Sequence, residues 1–200
     1  ACEEFLDVND NPGTPTDAPI EAIFPAAVAS SAGQIGGWYQ ILGGLWSQYW
    51  TQSNAANQYK RYDGFNIVAS DYDNLFNEIY SGALNDFNRV LVKAEEEESW
   101  NFYLMATVMQ AYVFQMMADL YDQVPYSEAF QGDEGVFNPM FDPGETVYGD
   151  LITRIDAALA KDLDDQEIKG SADFLFDGDM TSWVQFANTL KLKLYLRQCY

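Results

Sequence analysis

The chain has 200 residues, 48% apolar and 16% aromatic, a globular composition long enough for one sizeable core or one lobe of a larger protein. Ten Lys and Arg stand against 31 Asp and Glu, and the net charge of -21 argues against nucleic acid and against an electrostatic hold on anionic headgroups. Histidine is absent, which removes His-based acid–base catalysis, Ser-His-Asp triads and most zinc and copper sites. Neutral ligands, cations and protein partners stay open.

Residues 1–15 read as an extended leader, broken by Asn11-Pro12-Gly13 and Pro15. Asp7, Asn9 and Asn11 have the alternating oxygens of a calcium loop. Pro12 then fills the position that needs Gly, and Ala18 the one that needs a bidentate Glu, so that reading fails. The two cysteines, Cys2 and Cys199, lie at opposite ends, and no spacing points to a bridge.

Residues 20–34 predict a helical region, with Pro25 expected near a helix start. A second short helix is expected over 38–50, interrupted at Gly43-Gly44. Residues 51–70, "TQSNAANQYKRYDGFNIVAS", form a polar loop with aromatics in it. Ser70 and Asp73 resemble a capping box that opens a strong helix to about residue 95. Its apolar positions Tyr72, Leu75, Phe76, Ile79, Tyr80, Leu84, Phe87, Val90 and Leu91 mark one buried face. The acidic run Glu95–Glu98 reads as a solvated turn.

Residues 99–118 carry no charge and have the length of a membrane span. Asn101, Gln110 and Gln115 inside the segment, and acidic flanks, favour the centre of an α-helical domain instead. Its methionines read as gap-filling core. Pro125 is expected to end this helix, with a loop to about residue 144. An amphipathic helix follows over 145–163. The last helix starts near Thr181 and turns Trp183, Phe186, Ala187, Leu190 and Leu194 inward. No Gly, Asn or Pro stops it, so these residues are expected to be the first part of a longer polypeptide.

The class is all-α, with long loops. The strong helices form two pairs, 71–95 with 98–121 and 145–163 with 180–200. "WNFYLMA" and "WVQFANT" begin the second helix of each pair, a loosely tetratricopeptide-like pattern.

Four stretches in order then resemble one family. They are Cys2 with "EEFLDVNDNP", "DLYDQVPYSEAF", the helix at 145–163 with its acidic follower, and "DMTSWVQFANTLKLKLYLR". The chain resembles the SusD/RagB family of Bacteroidetes outer-membrane lipoproteins. Asp122-Gln123 stands where that family's motif carries Gly-Asp, and Gln185 where Lys is common. The resemblance implies a SusD-like α-helical fold, with residues 1–15 as tether and 16–200 as its N-terminal part. It implies a lipid anchor on Cys2, with Ala1-Cys2 as the end of a signal for lipid attachment and Glu3-Glu4 as an export cue to the cell exterior. The implied role is capture of glycan, or of oligopeptide in some relatives, for a SusC-like TonB-dependent transporter. Neither catalysis nor a cofactor is implied.

Sugars present C–H faces and hydroxyls, which proteins meet with aromatic rings and with planar amides or carboxylates. The loop after the second helix offers both: Trp50, Gln52, Asn54, Asn57, Tyr59, Arg61 and Tyr62, with Gln58, Asp63 and Phe65 beside them. The plainer alternative is that Trp50 and Phe65 pack beneath the loop. Phe137, Asn138, Phe141 and Asp142 form a second candidate. Among 31 acidic residues, carboxylate pairs suited to glycoside hydrolysis arise by chance, so no catalytic or metal residue is assigned. A tetratricopeptide-like scaffold that binds only proteins is the third reading.

Overall fold

A computed structural model describes residues 18–163, 168 and 170–199. Cys2 and residues 1–15, expected as a tether, lie outside them. Helix α1 (Ile20–Gln34) runs into a π-helical turn (Ile35–Tyr39) and on into α2 (Gln40–Trp46). Two expectations change here. Pro25 sits inside α1, not near its start. It removes the donor to one helical carbonyl, but Phe24, Pro25, Ala27 and Val28 are all buried, and that packing holds the helix together. Gly43-Gly44 do not interrupt α2 either. The Gly43 carbonyl accepts from Ser47 N–H and the Gly44 carbonyl from Trp50 N–H, both at 3.0 Å. Trp50 itself lies beyond the helix end.

The expected long helix is a rod of three pieces: α3 (Lys60–Asp63) precedes it, then come α4 (Asp73–Glu78), a second π turn (Ile79–Leu84) and α5 (Asn85–Glu96). Seven of the nine expected apolar positions are buried, and Phe76 and Tyr80 pack at the edge. The Ser70–Asp73 capping box does not form. Ser70 lies in a tight turn, Ala69–Asp71, which brings the Asp71 carboxylate under the free Val68 N–H at 2.8 Å instead. Gly82 lets α1 come close: a Cβ there would lie 3.0 Å from Ser30 Oγ. Glu95–Glu98 is exposed as expected, but Glu95 and Glu96 still belong to α5 and only Glu97-Glu98 form the turn.

Helix α6 (Trp100–Tyr121) is the central element, in contact with α1 and α5. No helix among the described residues is long and apolar enough to cross a membrane. The polar residues inside α6 tie its neighbours together. Gln110 donates to the Leu84 carbonyl at 3.3 Å and accepts from Arg154. Gln115 donates to Asp119 and to Tyr148 Oη. Met105, Met109 and Met117 fill the core around it.

Helix α6 ends at Tyr121, before Pro125. Residue 122 turns the chain, and β1 (Gln123–Pro125) then pairs antiparallel with β2 (Phe141–Pro143). The sequence reading had only loop here, since three residues per strand are too few for an alternation signal. Helix α7 (Gly144–Leu159) stops short of residue 163. Helix α8 (Met180–Arg197) is capped by Asp179, which accepts from Thr181 N–H at 3.0 Å. Both expected pairs pack, α5 on α6 and α7 on α8, and α6 also packs on α7 and α8. At the base of the core Trp183 is fully buried, its Nε1 donating to Asp173 at 2.8 Å.

Asp122 adopts φ 64, ψ -52, a conformation natural to Gly and strained for a residue with a Cβ. It is the position where the resembled motif carries Gly. Asp122→Gly relieves that strain at the cost of a more flexible unfolded chain. The expected outcome is a net gain of about 1 kcal/mol, read as a higher midpoint in urea unfolding.

A tyrosine cluster joins the first π turn to α6. Tyr39 Oη lies 3.0 Å from Tyr121 Oη, and the Tyr39 ring stacks on Tyr72 at 6.1 Å. Burial pushes both phenols up, Tyr72 to about 12 from an ordinary 10.0. The unfolded chain therefore ionises these groups at a pH where the folded chain keeps them neutral. The Tyr72 contribution is complete below pH 10 and is lost as pH rises through about 12, while that of Tyr39, pushed higher still, goes on falling beyond it. Thermal melts across that window should show a steady fall in Tm, and Tyr72→Phe should make the fall shallower.

Candidate functional site

The first π turn and α2 carry Trp38 and Trp46, and the loop beyond carries Tyr49 and Trp50. Helix α3 then lays Tyr59 and Tyr62 against them. The Trp38 ring meets Tyr59 edge-on at 5.9 Å and Tyr62 at 6.5 Å. Tyr62 meets Tyr72 edge-on at 5.9 Å, which fastens the cluster to the core. Trp46 packs on Phe65 at 5.8 Å and donates its Nε1 to the Tyr62 carbonyl at 3.1 Å. Trp38 and Trp46 are held by these neighbouring rings, yet Trp38 stays 44% exposed, and Trp50 is 47% exposed. Trp50 and Phe65, the latter 54% exposed, are thus not packed beneath the loop.

Trp50 makes no ring contact with the others among the described residues. It lies on the backbone of α2 instead, at Gly44. The next residue, Thr51, donates to Asp63 of α3 at 3.3 Å.

The polar candidates divide. Gln52 Oε1 accepts from Tyr59 N–H at 2.6 Å, so half of its amide braces the loop. Gln58 donates to Tyr59 Oη at 2.9 Å. Asn54 and Asn57 are exposed. Their carbonyls accept from Lys60, and their side-chain amides make no hydrogen bond among the described residues. Arg61 is paired with Asp71 and lies over the Tyr62 ring at 5.4 Å. Hydrogen bonds from Val68 N–H, then from Arg61, hold the Asp71 carboxyl below its ordinary range. The loop's strongest cation is thus already neutralised.

Behind the rings an apolar groove of about 340 Å³ runs between Trp46, Ile67, Val68, Tyr72, Leu120 and Tyr121. Trp38 and Trp46 join this candidate surface although their position in the sequence does not single them out. Both sit in an aromatic-rich helical stretch, and such a stripe reads as core unless the exposed side is known. The second candidate is a different surface, the β1–β2 ribbon. Phe137 is 80% exposed there, but Asp142 is taken up by Ser127, accepting from its N–H and Oγ at 2.8 Å each. No group of three His, Cys, Asp or Glu among the described residues is arranged to hold a metal.

Comparison with curated proteins gives no match. Among solved structures, a SusD/RagB family protein from Bacteroides thetaiotaomicron superposes with a TM-score of 0.78 at 24% identity. It is matched over 90% of this chain and 38% of its own. A protein described as Bacteroidetes AC2a SusD-like gives a TM-score of 0.68 at 21% identity, over 90% of this chain and 33% of its own. At these identities the likeness is one of fold, and the chain spans 38% of the one relative and 33% of the other. A family model matches residues 19–199, nearly the whole described chain, and its description is starch-binding associating with outer membrane. The chain belongs to that SusD-like family.

Proposed function

We propose that this chain contributes to glycan capture at the bacterial surface, through the aromatic rings around α2 and α3, with delivery to a SusC-like TonB-dependent transporter. One observation carries the reading: Trp38 and Trp50 are held on one side and open in front, with half-buried Tyr59 edge-on against Trp38 and unbonded Asn54 and Asn57 amides in the same loop. Sugar C–H faces stack on such rings, and amides serve their hydroxyls. The role is binding and not catalysis. The net charge of -21 and the paired Arg61 favour a neutral glycan over a polyanion.

A second reading is an oligopeptide ligand. The groove lined by Ile67, Val68 and Leu120 favours it, since aliphatic walls suit an apolar side chain better than a hydroxylated ring.

Calorimetry of the full-length protein against starch and other neutral polysaccharides, with peptides alongside, separates the two. The expected outcome is heat with a glycan, and a loss of about 1 kcal/mol or more for Trp50→Ala and for Tyr59→Ala. Flat heats with every sugar and signal with peptides would overturn the glycan reading. Unchanged affinity in both variants would move the platform elsewhere in the protein. The transporter partnership predicts that a large β-barrel protein co-purifies from native membranes under gentle detergent.

The outer-membrane attachment is proposed to run through lipid on Cys2, with residues 1–15 as tether. Each buried methylene contributes about 0.8 kcal/mol, so several chains make attachment effectively permanent. Intact mass of the native protein should show acyl groups on Cys2, and Cys2→Ala should release the protein from membranes unless a partner holds it.

A further inference from the structure

Gly43 and Gly44 are adjacent helical residues with different surroundings. A Cβ built on Gly43 meets nothing within 4 Å. A Cβ built on Gly44 would lie 2.4 Å from Trp50 Cε3, 2.7 Å from Cδ2 and 2.9 Å from Cζ3. Three neighbouring ring atoms at similar distances put that point above the ring face rather than at its edge. The indole therefore lies face-down on the bare backbone of α2. The bond from Trp50 N–H to the Gly44 carbonyl, 3.0 Å, fixes the same residue to the same spot. With one face of the indole against the helix, the opposite face accounts for its exposure.

We infer that Gly44 is a positioning residue: the absence of its side chain seats the Trp50 ring flat, so that its outer face can take the planar face of a ligand. Any methyl group at residue 44 fills the volume the ring occupies and lifts or tips it. Alanine is otherwise the better helix residue, so glycine here works against local propensity. The inference rests on the glycan reading for its consequence, and on the backbone–ring contact alone for its geometry.

The test compares wild type with Gly43→Ala, Gly44→Ala, Trp50→Ala and the Gly44→Ala/Trp50→Ala pair, all in the full-length protein. Retardation in native gels containing soluble starch reports affinity. Acrylamide quenching of tryptophan fluorescence, with Trp50→Ala as the blank, reports the exposure of the Trp50 ring without any ligand. Gly43→Ala should raise Tm and leave starch affinity unchanged. Gly44→Ala should change the Trp50 quenching and weaken starch binding by about fivefold, as Trp50→Ala does. The pair should bind no more weakly than Trp50→Ala alone, because Gly44 acts only through the ring. Losses that multiply in the pair, or a Gly44→Ala protein that binds as wild type while Trp50→Ala is impaired, would overturn the inference. If wild type itself ignores starch, quenching still decides: an unchanged Trp50 signal in Gly44→Ala overturns the geometry, and a changed one upholds it while the starch reading falls.

Discussion

The buried Asp173–Trp183 contact is the joint on which the packing depends. Asp173 is 1% exposed, and a carboxylate that far from water is costly unless its lone pairs are used. Here they are. One oxygen accepts from Leu175 N–H and Phe176 N–H, and the other from Gly178 N–H and Trp183 Nε1. Four charge-assisted bonds fold the segment before α8 around one side chain. An Asn at this position has one carbonyl oxygen and could serve only part of that set. The indole so fixed meets Phe24 of α1 at 5.9 Å and Phe176 at 5.1 Å, both edge-on. Burying a ring of that size contributes on the order of 4–6 kcal/mol.

That joint reaches the exposed aromatic surface through α1. One end of α1 is held between Trp183 and the rings of Phe87 and Phe102. The other runs through the π turn into α2, where the exposed tryptophans begin. Tyr39, at the end of that turn, is tied back to Tyr121 of α6 and stacked on Tyr72 beside α4. The aromatic surface thus stands on helices whose positions the core dictates. Such a surface loses little conformational entropy when a ligand arrives, which is where rigid aromatics gain over flexible chains.

Much of the scaffold was legible from spacing. Trp183, Ala187, Leu190 and Leu194 recur at helical intervals and are all buried, and the polar residues of α6 correctly argued for a core helix. What escaped was whatever spacing does not encode. A π turn adds one residue without changing the apolar character of the stretch, so Ile79, Ala83 and Leu84 look like ordinary helix. Pro25 survives inside α1 because tertiary burial outweighs one lost bond. The β1–β2 ribbon is too short to alternate. In the site, the loop's mixture of rings and amides was visible, but its internal use was not. Gln52 and Arg61 have the chemistry of ligand contacts and serve largely as braces, through Tyr59 N–H and Asp71. Trp38 and Trp46 were hidden for the opposite reason, since their exposure depends on which side of α2 the core takes.

The division of labour inside the loop bears on what kind of recognition the glycan reading allows. A ring that stacks accepts any sugar face of suitable shape, while hydrogen bonds to individual hydroxyls discriminate between epimers. Here the rings are open and most polar groups are already spent on holding them. Among the described loop residues, the Asn54 and Asn57 amides and the unbonded halves of the Gln52 and Gln58 amides remain for hydroxyls. On that reading this part of the protein supplies grip more than discrimination. It would suit a long polymer with a repeating face, where many equivalent registers bind equally well.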